Sequence, residues 1–290
     1  REATLKTFFT EFLCVEQGRN KALIDINPFE KGSLLTVKAN KNLVKDCDIN
    51  TTEKLMNMSE YERERLIVQF VFDSGVRSSE FPRVTKEDIN EAVRFYESKF
   101  YAGQKNSTIA DKGYILLGVS GSKGRGGERK ERFTIISEAT LKRILSYHSS
   151  HLYKKYARKY KSDHEKPIFF NAEGRAFTQK NFEKLLVKLS DRAIKRQIIS
   201  KPVSPHKLRH GFAYEILRSP DFGEDYLDRL VSLQKTLGHN DLDSTQIYTR
   251  IPVDLYKVMS DEDGVVLTKA TKMELLSRRT KLKITIKDKK

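Results

Sequence analysis

Residues 204–249 begin with SPHKLRHGFAYEIL and end with LQKTLGHNDLDSTQIYT. Within this stretch, His206 and Arg209 are three positions apart, so on a helix they share one face. Arg209 offers a planar, permanently charged guanidinium that suits a phosphate group. His206 and His239 can each donate a hydrogen bond or move a proton near neutral pH. Tyr248 carries a phenol that is able to attack phosphorus and form a covalent ester.

Each of these residues has an ordinary structural explanation when taken alone, because most single histidines are packed or surface residues. Their order is more specific. HKLRH matches the H-x-x-R box of the tyrosine recombinase (phage integrase) family, LGHND its L-G-H box and STQIYT its nucleophile box, with Tyr248 nine residues after His239. The sequence therefore resembles this family. The resemblance implies cleavage and rejoining of DNA strands through a phosphotyrosine bond.

A second box lies at residues 74–81, where SGVRSSEF resembles the family pattern T-G-x-R-x-x-E-L and differs at its first and last positions. The resemblance implies that Arg77 and Arg209 are two phosphate-clamping arginines and that Glu80 supports them. Taken without the box, Arg77 is equally well explained as a surface arginine at a helix end. Pro82 departs from the apolar run that family members have here.

Two short apolar segments, YILLGV at 114–119 and FTII at 133–136, flank the basic, glycine-rich SGSKGRGGERKER. This pattern predicts a β-hairpin whose tip faces DNA. The segment lacks the G-x-x-x-x-G-K-[ST] pattern of a phosphate loop, so it does not indicate ATP binding. Family members place a catalytic lysine on this hairpin in a G-K-G…K-x-R pattern. Lys123 matches its first lysine best, and Lys130 is the competing choice.

The composition favours a polyanionic partner, either nucleic acid or an anionic membrane surface. The 290 residues include 55 Lys+Arg against 39 Asp+Glu, a formal net charge of +16. The chain has no run of about 18 apolar residues that would span a bilayer. Cys14 and Cys47 are its only cysteines, which argues against a disulfide framework and fits a reducing, cytoplasmic setting. His148 and His151 are expected at the surface; neither a metal nor a cofactor is expected.

The chain is expected to contain parts of two domains. Residues 5–15 predict an amphipathic helix, and a turn with Asn27-Pro28 follows. By resemblance, residues 1–31 are the end of a core-binding (SAM-like) domain; the alternative is the first helix of an ordinary single domain. Residues 32–50 are expected to be a linker and residues 51–290 the catalytic domain. Because the sequence does not begin with Met, it is expected to start part-way into a longer protein.

Apolar periodicity predicts the remaining helices and one further strand. Helices are expected at 59–73, 90–102, 138–160 and 178–194, and a short strand at 167–170. Thr51 or Thr52 is expected to cap an earlier helix, and Gly75 to end the helix at 59–73. Residues 89–112 resemble an insertion relative to the family.

The C-terminal residues 267–290 are basic and carry two apolar patterns. Ala270, Met273 and Leu276 form a narrow stripe at helical spacing, and Leu282, Ile284 and Ile286 then alternate with polar residues as in a half-buried strand. The hypothesis is that this tail pairs with a catalytic-domain sheet, in cis when the protein is alone and in trans in a DNA complex. The alternative is a disordered tail that only attracts DNA.

The resemblance implies an α+β catalytic domain, mostly helical with a small antiparallel β-sheet. It also implies a mechanism in which His206 accepts the tyrosine proton or orients the phosphate, His239 donates to developing charge, and Lys123 protonates the departing 5′ oxygen. By the same resemblance, neither metal nor ATP is expected to be required. The expected catalytic residues are Arg77, Lys123, His206, Arg209, His239 and Tyr248, with Glu80 in support.

The function expected is that of a site-specific recombinase that integrates or excises a mobile element. Its expected partners are double-stranded DNA and further copies of itself, as a dimer or tetramer on that DNA, without a membrane. A type IB topoisomerase or a telomere resolvase would use related chemistry. A catalytically inactive DNA-binding relative and a basic scaffold or membrane-surface protein are further alternatives, but a scaffold would not need the ordered boxes.

Overall fold

A computed structural model of the chain describes residues 2–16, 21–30, 47–101, 112–123, 129–238 and 266–282. The chain divides into two compact units, Arg1–Asn42 and Leu43–Lys290. No helix in these described ranges is long and apolar enough to cross a membrane.

The described residues of the first unit include one helix, α1 (Glu2–Phe8), which continues as a π-helical turn over Phe9–Leu13. The Phe9 ring lies against the Phe29 ring, with 5.6 Å between their centroids. The Asn27 side chain accepts a hydrogen bond from the Phe29 backbone N–H (2.9 Å), which forms the predicted turn. The predicted helix is confirmed, although it begins and ends earlier than predicted and its apolar residues Leu5, Phe8 and Phe12 are exposed. Its assignment to a core-binding domain stays a prediction.

The second unit begins with α2 (Ile49–Asn57), and its cap differs from the prediction. Asp48 caps this helix, because its carboxylate accepts a hydrogen bond from the Thr51 backbone N–H (2.8 Å). The prediction of Thr51 or Thr52 as the cap is therefore wrong. The next helix, α3 (Glu62–Ser74), ends as predicted at Gly75, whose φ of 60° is left-handed.

The remaining elements follow in chain order. They are α4 (Lys86–Tyr101), β1 (Tyr114–Lys123), β2 (Arg129–Ser137), α5 (Glu138–His148), α6 (His151–Ala157), α7 (Gln179–Lys195), α8 (Pro205–Arg218), α9 (Tyr226–Leu237) and α10 (Lys269–Thr280). Short 3-10 turns cover Phe81–Arg83 and Pro220–Phe222. The predicted helix at 178–194 is confirmed as α7, with the Thr178 side chain as its cap.

The two strands pair antiparallel as predicted but are longer. Tyr114 pairs with Ser137 and Ser120 with Glu131, whereas Lys123 pairs with Arg129, so the register shifts between Ser120 and Lys123. The basic residues assigned to the turn therefore extend the ladder. The hairpin is confirmed, and its tip at 124–128 lies outside the described residues.

Two other predictions are wrong. The expected helix at 138–160 is two helices, α5 and α6, because the Ser150 side chain caps α6 by accepting from the Tyr153 backbone N–H (3.3 Å). The expected strand at 167–170 forms only the isolated bridges Thr85 to Pro167 and Phe170 to Ala176 in the described part of the chain.

Helix α3 lies at the centre of the second unit, and its residues 66–74 are all buried. Helix α8 packs closely on it because Gly211 has no side chain: a Cβ there would lie 2.1 Å from the Cys47 carbonyl oxygen and 2.5 Å from the Phe72 ring. Met273 and Leu276 of α10 are also buried in this core, which confirms the helical stripe in the tail. Complete burial of each such side chain contributes about 1.5–3 kcal/mol. Residues 283–290 lie outside the described residues.

Candidate active site

The turn after α3 exposes Arg77 beside a buried carboxylate. Gly75 turns the chain in a left-handed conformation, and a Cβ there would also lie 2.3 Å from the Phe212 ring, so no larger residue fits. Two residues later, the Arg77 side chain is 31% exposed and its Nη1 lies 2.6 Å from Oε1 of Glu80. The Arg77 backbone N–H also donates to Glu80 (2.8 Å). Arg77 is thereby held rigidly while part of its guanidinium stays accessible.

Glu80 is completely buried and accepts hydrogen bonds from two arginines. Its second partner is Arg132 of β2, whose Nη2 and Nε lie 2.6 and 3.2 Å from the two carboxylate oxygens. Burial acts to raise the pKa of Glu80, but the hydrogen bonds and charges of Arg132 and Arg77 outweigh it and lower the pKa to about 2. The Glu80 carboxylate therefore stays ionised at neutral pH and holds Arg77, the residue that it was expected to support.

Arg132 belongs to this cluster but is not among the residues expected from the sequence. Besides Glu80, it contacts the end of α9 by donating from Nη1 to the Thr236 carbonyl (2.7 Å). A Cβ on Gly238 would lie 2.5 Å from Cδ of Arg132, and Gly238 has a φ of 63°. The glycine of the L-G-H box is therefore required both for its backbone conformation and for the approach of Arg132. The available signal was the K-x-R spacing of Lys130 and Arg132.

Arg209 joins the ends of two helices. It lies in α8, is 5% exposed, and donates from Nη1 to the Gly75 carbonyl and from Nη2 to the Leu237 carbonyl (2.9 Å). Gly75 precedes Arg77 by two residues and Leu237 precedes His239 by two. Arg209 and Arg132 thus fix the end of α9 against the turn that carries Arg77.

Two histidines one turn apart, His206 and His210, lie near the start of α8. The Ser204 side chain caps the helix by accepting from the Lys207 backbone N–H (3.3 Å). The rings of His206 and His210 lie edge to face with centroids 4.1 Å apart. His206 is exposed, and burial of part of its ring and the charge of Arg209 lower its pKa. A lowered pKa favours the neutral imidazole near pH 7, which can accept a proton. His210 is not among the residues expected from the sequence.

The structure describes only part of the remaining expected site. The backbone of Lys123 ends β1 and that of Lys130 lies in β2, but their side chains are not described. His239 and Tyr248 lie outside the described residues. Gly238, which precedes His239, caps α9 beside Arg132. The roles of these four residues therefore stay predictions.

The two histidines considered as metal ligands lie apart from this site, and the prediction of a surface position is wrong for His148. His148 is 9% exposed, its Nε2 lies 3.1 Å from the Ile168 carbonyl oxygen, and its ring stacks on Tyr153 at 4.2 Å. Burial lowers its pKa to about 4. His151 is exposed. Among the described residues, no group of three or more His, Cys, Asp or Glu side chains is arranged to hold a metal ion.

The buried Glu80 cluster gives a testable pH dependence. The pKa of the Glu80 carboxyl group falls from an ordinary 4.5 to about 2. Its contribution to the stability of the folded protein is therefore fully present above pH 4.5 and is lost as the pH falls towards 2. Glu80→Gln is expected to lower the free energy of unfolding at pH 7 by about 3 kcal/mol, measured by denaturant titration. The difference from the unmodified protein should shrink below pH 4.5. Glu87→Gln, which removes a surface partner of Arg94, is the control; equal effects of both variants would contradict the prediction.

Comparison with known proteins identifies the family. The model of the Phage integrase family matches residues 46–253, more than two thirds of the 290 residues. The chain belongs to the phage integrase family. Tyrosine recombinase XerD of Halalkalibacterium halodurans is 29% identical over 219 residues, which cover 74% of this chain and 60% of that protein. Tyrosine recombinase XerD of Listeria innocua is 25% identical over 264 residues, covering 88% of this chain and 73% of that protein.

A solved structure has the same fold. The crystal structure of XerH site-specific recombinase, in a post-cleavage complex with a palindromic difH substrate, superimposes with a TM-score of 0.58 at 19% identity. The match covers 90% of this chain and 66% of the XerH chain. The predicted architecture of this family member, mostly helical with a small antiparallel sheet, is confirmed.

Proposed function

We propose that this phage integrase family member is a site-specific recombinase that cleaves and rejoins DNA strands through a 3′-phosphotyrosine intermediate. The observation that carries the proposal is that Arg209 of the H-x-x-R box connects the two other boxes. It donates to the carbonyl of Gly75, two residues before Arg77 in the sequence, and to that of Leu237, two residues before His239. Residues that are distant in sequence are thereby held at one place.

The arginines supply what a phosphodiester needs for attack. Its non-bridging oxygens are negative and repel a nucleophile, so preorganised positive groups lower the barrier. Arg77 is held by Glu80 yet partly exposed, which suits a guanidinium that binds one of these oxygens. Arg209, which lies in the H-x-x-R box, is proposed to bind the other non-bridging oxygen through N–H groups of its guanidinium.

In the proposed reaction one proton leaves the Tyr248 phenol and one proton is given to the leaving 5′ oxygen. The Tyr248 oxygen forms a bond to phosphorus while the bond from phosphorus to the 5′ oxygen breaks. His206, whose lowered pKa favours the neutral ring, accepts the phenol proton and also orients the phosphate. Lys123 gives a proton to the departing 5′ oxygen, and His239 donates to the developing charge. A 5′ hydroxyl then reverses the step, so that ATP is not consumed.

Double-stranded DNA is the proposed partner, and a dimer or tetramer on that DNA the proposed assembly. The net charge of +16 supports a polyanion partner. XerH, which shares the fold, is bound to its difH substrate in the solved structure. Residues 1–31 are proposed to end a core-binding domain, and integration or excision of a mobile element is the proposed role.

The test uses the full chain and duplexes that tile the DNA on both sides of its gene. We expect a denaturant-resistant protein–DNA adduct that forms without ATP and in excess EDTA, because arginines and Lys123 replace a metal. Binding should weaken steeply with salt, since Lys and Arg contacts release counterions. Arg77→Ala should abolish the adduct, whereas the control Arg94→Ala removes an equal charge at an exposed ion pair and should keep it.

Two outcomes decide the proposal. Loss of the adduct in EDTA with recovery in a divalent ion would contradict the mechanism. Exchange of strands between two copies of the selected duplex identifies a recombinase, whereas relaxation of supercoiled DNA without exchange identifies a type IB topoisomerase.

A further inference from the structure

A short turn follows Glu80 and places a third arginine against the hairpin. The 3-10 turn Phe81–Arg83 contains Pro82, the residue that departs from the family pattern. The Arg83 side chain is partly buried and donates from Nε to the Ser120 carbonyl (3.0 Å) and from Nη2 to the Gly121 carbonyl (2.9 Å). One guanidinium thus holds two successive carbonyls of β1.

These carbonyls lie where the strand pairing changes register. Ser120 pairs with Glu131 and Lys123 with Arg129, so two residues of β1 stand opposite Lys130 alone. Such a bulge interrupts the regular hydrogen-bond ladder and bends the strand, so the ladder alone does not fix the direction of the end of β1. The two partly buried hydrogen bonds from Arg83 satisfy these carbonyls and select one geometry at this point. Lys123 follows Gly121 by two residues.

The turn that carries Arg83 is itself rigid. Glu80 precedes it and is fixed by Arg77 and Arg132. Phe81 is 1% exposed and stacks on Phe169 with centroids 5.8 Å apart. The same short segment therefore fixes Arg77 on one side and the end of β1 on the other.

We infer that Arg83 is a positioning residue, which sets the end of β1 so that Lys123 reaches the leaving oxygen of a phosphate bound by Arg77. The inference rests on the proposed function and on Lys123 as the general acid. General acid catalysis contributes about 10²–10⁴-fold, and displacement of a reacting group by about 1 Å costs about 10²-fold. Arg83 would therefore affect the proton-transfer step and not phosphate binding.

A sulfur substitution separates this role from a structural one. The probe is the duplex selected above, made with oxygen or with sulfur at the 5′ bridging position of the cleaved phosphate. A sulfur leaving group needs no proton. We expect Arg83→Ala to slow adduct formation about tenfold or more with oxygen and to leave it nearly unchanged with sulfur. Lys123→Ala should behave alike and more strongly, and the double variant should be no slower than Lys123→Ala.

Two further variants serve as controls. Arg83→Lys keeps the charge but cannot hold both carbonyls, so it should show part of the defect with oxygen. Arg192→Ala removes an exposed arginine that donates to the Met58 carbonyl (3.2 Å), and it should match the unmodified protein on both substrates. Equal slowing of Arg83→Ala on oxygen and sulfur, additive losses in the double variant, or absence of sulfur rescue in Lys123→Ala would each overturn the inference. If the unmodified protein cleaved neither substrate, the proposed function itself would fail.

Discussion

Replacing Tyr248 by Phe is expected to abolish the covalent protein–DNA adduct while leaving folding and duplex binding intact. The change removes one oxygen atom, which is the proposed nucleophile, and keeps the aromatic ring. Loss of a covalent nucleophile commonly lowers a rate by about 10⁴-fold or more, so the adduct should fall below detection. The measurement is a denaturing gel of the full chain with the selected labelled duplex, accompanied by a binding titration under native conditions.

Tyr256 provides a matched control for this prediction. It follows Tyr248 by eight residues, and Tyr256→Phe removes the same phenol oxygen from a nearby tyrosine. We expect Tyr256→Phe to form the adduct at the rate of the unmodified protein. An adduct that persisted in Tyr248→Phe but disappeared in Tyr256→Phe would transfer the nucleophile role to Tyr256.

The sequence boxes indicated which residues belong to the candidate site, but they did not indicate the contacts that bring those residues together. Arg77, Glu80 and Arg209 follow motif spacings, and the structure holds all three at the end of α3. The motif did not show that Arg209 reaches that place by binding the Gly75 carbonyl, because this contact spans 134 positions. Arg132 was missed for the same reason: in sequence it is one of several charges on a hairpin, and only the packing of β2 on the turn after α3 pairs it with Glu80.

The predicted elements differ from the structure where tertiary packing or a local helix cap, and not the apolar pattern of the sequence, decides the conformation. Apolar periodicity runs through residues 138–160, yet the Ser150 side chain ends the pattern by capping a new helix. His148 was expected at the surface because no further metal ligand lies at matching spacing, whereas its ring is buried against Tyr153 and the Ile168 carbonyl. Asp48 was assigned to a linker because residues 32–50 lack a period, although its carboxylate caps α2. Long, strongly periodic segments such as α3 and α7 were predicted well.

Helix α10 carries a buried charge that its sequence pattern did not indicate. Its Lys269 was counted among the charges of a basic tail, but the side chain is fully buried. Its Nζ pairs with the Asp73 carboxylate and lies 5.1 Å from the centre of the Phe212 ring. Asp73 also accepts from the Ser137 backbone N–H (2.8 Å). A helix beyond residues 46–253, the range matched by the family, thus supplies a buried charge next to Gly75.

Lys269→Met is therefore expected to be among the most destabilising single changes in the chain. Without the ammonium group, Asp73 would be a buried carboxylate with no opposite charge, a situation that costs about 3–5 kcal/mol. The free energy of unfolding from denaturant titration should fall by that amount. Because Asp73 lies two residues before Gly75, whose carbonyl is bound by Arg209 and which begins the turn to Arg77, adduct formation should slow as well, even at temperatures where the variant remains folded.

A second substitution distinguishes loss of charge balance from loss of packing. Asp73→Asn removes the unpaired charge and keeps an acceptor for the Ser137 N–H, so combining it with Lys269→Met should restore most of the lost stability and adduct formation. Lys142→Met is the surface control, since its ion pair with Glu138 leaves the lysine side chain 72% exposed, and it should change stability little. A double variant less stable than Lys269→Met, or a Lys142→Met effect as large as that of Lys269→Met, would show that the buried pair does not hold α10 and the Arg77 turn together.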